Sequence, residues 1–455
     1  MPTRRDLGEL GDMWNVGIRT GLVILLLQAA GLSAAADVVP AEPLAAAARR
    51  AGLRVLESKR LVLATDRPPR DGDGVAELPA VFDQAFAAWC RHYRVDAATL
   101  PTWRAFGCLV VDRERFRAAG LLPDTIPEFV NGFCDRNRFW LVDQSNPAYR
   151  RHLLLHEGVH AFTLTARGLA TPVWYNEGIA EFLATHRVEP NAEGPRFVST
   201  PMPDRPADVE QLGRIEMLHE MRKAGTAPGL DTVVATPVGR HAAIADYAAS
   251  WAAVTMFALH PAYAEGFAAL ERGPLGPDFT DRLAGLADYD PARAARDFDA
   301  FTADVDYGYD FTRSAIDWSP GTRLTAARRF DVRAGRGWQN TGAALVAGRD
   351  YSLRASGRCR LGTVGDVTIE AEPGGISLDW YRGRPLGRLL AAQWVESPAD
   401  GGRPRFVVLG EGTEATFTAA TDGPLSMKIN EPPADLADDE GHFTIDLAPQ
   451  RPVSR

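Results

Sequence analysis

The stretch Leu153–Leu164, LLLHEGVHAFTL, contains the run His156-Glu157-Gly158-Val159-His160. Residues four apart on an α-helix share one face, so both imidazoles can grip one metal ion. Glu157, next to the first of them, is placed to take a proton from a metal-activated water. Five residues can match such a string by chance, and a core-facing helix with two satisfied histidines carries the same letters. The segment that follows favours the metal. Gly168 offers a stop signal, and Thr171-Pro172 restarts a helix with Thr as N-cap and Pro at the first helical position. That second helix carries Trp174-Tyr175-Asn176-Glu177-Gly178-Ile179-Ala180-Glu181-Phe182. A catalytic zinc takes three protein ligands and leaves one position for water. Glu177, folded back against the first helix, is expected as the third ligand.

These motifs resemble the gluzincin metallopeptidases: HExxH, a short connection, then an NEGxAE helix whose first Glu completes the site. The resemblance implies a zinc ion on His156, His160 and Glu177, Glu157 as the base, and a peptide or protein substrate. Sixteen residues separate His160 from Glu177, slightly fewer than the aminopeptidase branch uses. Glu181 stands one turn beyond Glu177 and can accept the other imidazole N–H of a ligating His; it equally fits a solvated helix charge. His152 shares a face with His156, yet lies roughly 12 Å along the axis from His160 at about 1.5 Å per residue. It is therefore expected as a bystander or a support, not a ligand. Gly158 costs about 1 kcal/mol relative to Ala in a helix interior, and is read as room for the second helix to approach. In gluzincins a Tyr or His from a later helix braces the developing oxyanion. Tyr247, near the start of the apolar stretch Asp246–His260, is the candidate, with His241 the alternative; a packing aromatic is the bland reading.

The 455 residues are 45% hydrophobic and 24% charged, an ordinary globular balance with room for two or three domains. A net charge of −9 argues against a nucleic-acid partner. Residues 1–36 read as an export signal: Arg4, Arg5 and Arg19 precede the apolar Gly21–Gln28, and Ser33-Ala34-Ala35-Ala36 offers a cleavage site. Met13 is an alternative start. The apolar core is shorter than the roughly 20 residues of a permanent span, so a secreted or periplasmic protein that meets a membrane only during export is expected. Four cysteines, none in a CxxC pair, are too few for a disulfide scaffold; a Cys108–Cys134 bridge and buried free thiols are both open.

Before the metal motif, Leu53–Thr65 and Trp103–Val111 read as strands, Ala76–Tyr93 and Arg113–Gly120 as helices, and Asn131–Asp143 as a third strand with Phe139–Val142 its core. This alternation matches the small sheet lobe of a gluzincin. There the last strand lies on the cleft edge and pairs with extended substrate; Phe139–Val142 is assigned to that edge, an interior position being the alternative. Asp208–Lys223 reads as a helix, residues 226–240 as a Pro/Gly-marked connection, and Ala262–Ile316 as further helices. From about Asp317 short alternating runs take over, as in an all-β sandwich. Strands are expected at Arg329–Val332, Asp350–Ala355, Val367–Glu372, Phe406–Leu409, Glu414–Thr418, Leu425–Ile429 and Phe443–Leu447.

Within that segment, Gly337-Trp338-Gln339-Asn340-Thr341-Gly342, Pro385-Leu386-Gly387-Arg388-Leu389, Leu425-Ser426-Met427-Lys428-Ile429-Asn430-Glu431 and Asp438-Asp439-Glu440-Gly441-His442-Phe443 resemble the small calcium-dependent galactose-binding lectins of bacteria. The resemblance implies a calcium ion held by the side chains of Glu431, Asp438 and Asp439 and by backbone oxygens of Asp435 and Leu361. Calcium wants roughly six to eight oxygens at about 2.3–2.6 Å, which such a turn can supply; a solvated acidic turn has the same composition. The lectins' sugar-contacting side chains find no match between Gly362 and Pro385, so glycan binding is expected only in general terms.

The expectation is thus an α+β chain: a signal over 1–36, a gluzincin-type peptidase domain of sheet lobe and helical lobe over 37–316, and an all-β sandwich over 317–455. The expected function is a secreted zinc peptidase, an endopeptidase by default. The rival is an extracellular glycan- or surface-binding protein with a silent metal site.

Overall fold

A computed structural model of the chain describes residues 38–70, 72–168, 171–191, 194–209, 213–237 and 243–450. The export signal expected over 1–36 and the alternative donor His241 lie outside the described residues. Two compact units are formed. One takes the described parts of Met1–Ser199 with Val234–Ser250 and Glu271–Thr280; the other takes Thr200–Val233, Trp251–Leu270 and Asp281–Arg455. The segment 37–316 thus contributes to both. No described helix is long and apolar enough to cross a membrane.

The first unit is built from α1 (Ala41–Arg50), β1 (Arg54–Glu57), β2 (Leu61–Thr65), α2 (Leu78–Tyr93), β3 (Ala105–Val110), α3 (Arg113–Ala118), β4 (Gly132–Asp135), β5 (Arg138–Val142), α4 (Pro147–Phe162), α5 (Val173–Ala184), β6 (His186–Glu189) and β7 (Arg196–Ser199). Five strands form one sheet in the order β1-β2-β3-β5-β4. The inner pairs β2–β3 and β3–β5 are parallel, and β1 and β4 close the two edges antiparallel. Because β2 and β3 are covered on both faces, every residue in them is apolar or small and buried, as parallel strands require. Phe106, Cys108 and Val110 face a core with Ala45 and Ala48 of α1 and Phe116 of α3. On the other face Phe82 of α2 stacks on Phe139 at 6.2 Å, and Phe86 meets Phe162 of α4 edge-on at 5.6 Å. Each such aromatic contributes about 1.5–3 kcal/mol by burial, and together they fix α4 above the sheet.

Four readings change or are decided here. Asn131–Asp143 is a hairpin, not one strand: Arg136 adopts φ 57 and Asp135 pairs with Arg138. The turn lacks an Asn-Gly signal and is pinned instead by the buried Asn137, whose amide donates to Val39 O at 2.9 Å and Arg104 O at 2.8 Å. The free edge beside the metal motif is consequently β4, and Phe139–Val142 is interior between β3 and β4. Cys108 and Cys134 have β5 between them, too distant to bridge, and all four cysteines are free. Gly158 makes room for α2, not for α5: a Cβ there would lie 2.6 Å from Phe82 Cε2 and 2.8 Å from Trp89 Cη2.

The second unit contains α6 (Arg214–Lys223) and α7 (Leu230–Val234), the latter inside the stretch expected as a connection. The chain continues through α8 (Ile244–Leu259), α9 (Ala264–Arg272), α10 (Phe279–Ala284), α11 (Pro291–Asp304) and α12 (Phe311–Ser314). Then come β8 (Thr322–Arg323), β9 (Arg328–Arg333), β10 (Gln339–Leu345), β11 (Asp350–Ser356), β12 (Cys359–Val364) and β13 (Val367–Ala371). They are followed by β14 (Gly374–Tyr381), β15 (Arg384–Val395), β16 (Arg405–Glu411), β17 (Glu414–Thr418), β18 (Gly423–Ile429) and β19 (Asp439–Pro449). One sheet runs β14-β15-β18-β10-β8 with β16 on β15, the other β13-β12-β19-β11-β17 with β9 on β19. Leu389, Leu425 and Met427 of the first share a buried core with Tyr351, Leu353, Phe443 and Ile445 of the second, a two-sheet sandwich. On its other face β15 places Leu390 and Ala392 with Trp338, Ile316 and Ala300 of α11. That second core joins α11 to the sandwich within one unit, whereas α8, α9 and α10 each contribute residues to both units.

Candidate metal centre

Asn146 caps α4 by accepting a hydrogen bond from the Tyr149 backbone N–H at 2.9 Å, with Pro147 in the first turn. The helix then runs without interruption through His152, His156 and His160, and passes into a π-helical turn at Thr163–Arg167. Gly168, at φ 109, ends it, a conformation open to glycine. Thr171 does not cap the next helix: Pro172 occupies the N-cap position and α5 begins at Val173. All of α5 is buried, which brings Glu177 and Glu181 onto the histidine face of α4.

His156, His160 and Glu177 converge. The two imidazole Nε2 atoms are 3.1 Å apart, and Glu177 Oε2 lies 3.3 Å from His156 Nε2 and 3.4 Å from His160 Nε2. All three side chains are buried, and Glu177 Oε2 accepts no well-formed hydrogen bond. At most one of two facing Nε2 atoms can carry a proton toward the other, so this triangle is electrostatically unsettled as bare protein. A cation at its centre satisfies all three lone pairs, and these residues can hold a metal ion. The other Glu177 oxygen accepts from Asn176 Nδ2 at 3.3 Å.

Glu181 supports the triangle from behind. Its Oε1 is 3.3 Å from His156 Nδ1 and its Oε2 is 3.2 Å from His152 Nε2, while His152 Nδ1 lies 3.2 Å from Ala184 O. His152 thus contacts the carboxylate that orients His156, and His152, His156 and Glu181 form a second group of donors close enough to hold a metal ion. Burial opposes protonation of His156, but the adjoining carboxylates of Glu177 and Glu181 outweigh it and raise the pKa to about 10. Glu177 is held well below the usual carboxylate range: burial works against this, and the charges and N–H groups of His160 and His156 prevail.

Glu157 points to the other side, into a cavity of about 20 Å³ lined by His156, His160, Asn176, Glu177, Cys134 and Gly132, room for roughly one water. Burial pushes its carboxyl upward, and the charges of His160 and His156 pull it back. The edge strand β4 supplies the space. A Cβ on Gly132 would overlap Glu157 Oε1 and lie 2.9 Å from its Cδ. Gly132, Asn176 and the His152–Glu181 contact are absent from the sequence reading; a glycine inside a strand, marking a close approach, is the one signal that points to the first. Tyr247, in the first turn of α8, stands with its ring 6.0 Å from that of His156. Gly132→Val is expected to displace the Glu157 carboxylate by an ångström or more without touching the metal ligands. Metal content should stay at wild-type level while any Glu157-dependent hydrolysis falls about 10²-fold; full activity would show that the glycine is dispensable.

The lectin-like loop arranges its residues differently. Leu361 of β12 pairs directly with Asp439 of β19. Glu431 and Asp439 are buried, and Glu431 Oε2 and both Asp439 carboxylate oxygens lack hydrogen-bond partners. Burial raises the pKa of both groups; contact with Asp439 adds to this at Glu431, whereas at Asp439 the contact with Glu431 works against it and the charges of Asp438 and Asp435 reinforce it. Asp438 turns toward the Leu361-Gly362 backbone, where a Cβ on Gly362 would be 2.7 Å from its Oδ2. Asp435 precedes it in the loop, its pKa raised by burial and by Asp438. Among the described residues, the groups of three side chains whose donor atoms lie within 4.8 Å of one another are both on α4 and α5. A cation in the acidic loop would therefore draw on backbone oxygens as well.

No protein-family model matches the sequence, and no curated protein matches it. A solved structure described as "EclA N-terminal domain; PllA-like lectin" is similar at 21% identity, over 27% of this chain and 95% of that one, with a TM-score of 0.20. At that score the likeness carries no argument.

Proposed function

We propose that the chain is a zinc-dependent peptidase of gluzincin type, exported from the cytoplasm, with peptides or proteins as substrates. The observation that carries the reading is the buried triangle of His156, His160 and Glu177 with the Glu157 carboxylate beside it in one small cavity. A tetrahedral ion with bonds of about 2.0–2.1 Å has donor–donor edges of roughly 3.3–3.4 Å, which these spacings match. Zinc in such a site supplies Lewis acidity toward water and a scissile carbonyl. Glu157 takes the proton of the attacking water on its carboxylate and returns it to the leaving amine. Its raised pKa suits a group that must both accept and give. Tyr247 donates a hydrogen bond to the carbonyl oxygen as charge builds there. The outer edge of β4, whose Gly132, Phe133 and Cys134 form part of the cavity wall, is where an extended peptide would add as a strand. Digestion of fluorescently labelled casein tests the reading: cleavage is expected, is abolished by a chelator, and returns with stoichiometric zinc. Chelator-insensitive cleavage, or none by zinc-loaded protein against casein and a peptide library, would remove it.

The sandwich is proposed to bind calcium through Glu431, Asp438, Asp439 and the backbone of Leu361 and Asp435, and through it glycans. The burial of Glu431 and Asp439 side by side, with no cationic partner in an ion pair among the described residues, supports this. Their raised pKa values mean that the folded protein holds protons the unfolded chain would release. Stability from this pair is present below the ordinary 3.8–4.5 range and declines as pH rises above it. Calcium binds the charged forms, so the rise in melting temperature with millimolar calcium should be larger at pH 8 than at pH 5. No shift at pH 8 would cancel the ligand assignment.

A further inference from the structure

An open cleft of about 520 Å³ lies in the second unit, between residues of α6, the end of α11 and the loops flanking β14–β16. All its lining residues but Ala303 have polar or charged side chains, whose aliphatic stems also contribute to the wall. Arg222, Lys223, Arg382, Arg403 and Arg405 face only Asp306 and Asp400 in the wall, on a chain whose net charge is −9. The guanidinium groups are fixed from behind. Asp299, buried, accepts from Arg403 Nε at 3.0 Å and Nη2 at 2.7 Å, and also from Arg222 Nη1 at 3.3 Å. Arg382, in a left-handed turn at φ 50, donates to Asp304 Oδ1 and Ala303 O, at 2.8 and 2.9 Å, and Asp304 also serves Lys428. The buried Asp299 and the half-buried Asp304 thus hold three arginines and a lysine. Arg405 pairs with Asp400 and Lys223 lies near Glu220, which with Asp306 leaves six cations against five carboxylates. Arg222 registers the shortfall: burial lowers its pKa, and crowding by Arg403 and Arg405 adds to this against the pull of Asp299.

We propose that this cleft binds an anionic saccharide, an oligosaccharide carrying sulfate or carboxylate groups. Pre-positioned arginines suit oxyanions, which they bind through paired N–H donors. A binding pocket for an apolar small molecule is lined mostly by hydrophobic side chains, and this one is not. The space exceeds what one inorganic anion needs, and Asp306 and Asp400 offer acceptors for sugar hydroxyls between the cations. The site is separate from both metal readings and does not depend on them.

The test uses the full chain and a fluorescent heparin-derived tetrasaccharide, with its desulfated counterpart and inorganic phosphate as competitors. Saturable binding is expected, weakening as salt rises. The desulfated sugar and phosphate should each compete at least about tenfold more weakly. In Lys223→Glu/Arg405→Glu, which alters two side chains that are 79% and 36% exposed, affinity should fall at least about tenfold with the melting temperature unchanged. A charge-matched control, Arg329→Glu/Arg354→Glu on exposed positions elsewhere in the sandwich, should bind like wild type. Equal loss in the control would reduce the effect to net charge. Undiminished binding in the first variant, or phosphate competing as well as the sugar, would overturn the assignment.

Discussion

Glu157→Gln is expected to retain its full metal content and to lose peptide hydrolysis by about 10²–10⁴-fold, the usual range for removing a general acid–base group. The substitution keeps volume and shape, so the amide should fit against Gly132 as the carboxylate does. What it removes is the ability to accept a proton. None of the three ligand atoms belongs to residue 157, so metal stoichiometry, measured on the purified variant, separates loss of chemistry from loss of the site. The wild-type profile adds a second check. Burial raises the Glu157 pKa above 4.5, and a base works only when deprotonated; activity should therefore fall as pH drops through a value above that of an ordinary glutamate, and this limb should vanish in the variant. Wild-type hydrolysis in Glu157→Gln would strike residue 157 from the mechanism.

The His156–His160–Glu177 cluster was legible because a helix converts spacing into geometry: an offset of four from His156 to His160 allows one common face whatever surrounds them. The supporting contacts were not. Gly132 matters only because the Asp135–Arg138 hairpin folds β4 back along β5 and sets it beside Glu157, and that turn is held by an asparagine reaching Val39 and Arg104, far away in sequence. The same long-range cause hid the sheet edge. In the sandwich, β11 and β17 alternate or lie near an edge and read clearly, whereas Arg384–Val395 did not read as a strand at all. Its Leu- and Ala-rich run is buried on two faces, Leu389 and Ala391 in one core and Leu390 and Ala392 in another, which erases the period-two pattern. The boundary near residue 317 marks a change of secondary structure, but β15 shares its outer core with Ala300, so compactness does not follow it.

Glu177→Gln should cost more metal affinity than any other single change outside the histidines, well beyond the roughly 10–100-fold expected for Glu181→Gln, which only orients His156. The ranking follows from position. Glu177 Oε2 faces both Nε2 atoms, whereas Glu181 reaches only the far nitrogen of one ring. Protons report the same difference. With both carboxylates in place the His156 pKa stands near 10, so the metal-free protein carries an imidazolium at neutral pH. The stability this adds is fully present below the ordinary 6.5 and is lost as pH rises through about 10. Metal must displace that proton, so affinity climbs with pH up to that region. Removing the Glu177 charge lowers the His156 pKa and with it the proton release at pH 8. Calorimetric titration with zinc in buffers of different ionisation enthalpy should show more protons released by wild type than by the variant, in which Glu181 alone still holds the His156 proton. Equal affinity and equal proton release in the two proteins would mean that the ion is not held between α4 and α5, and the peptidase reading would fall with it.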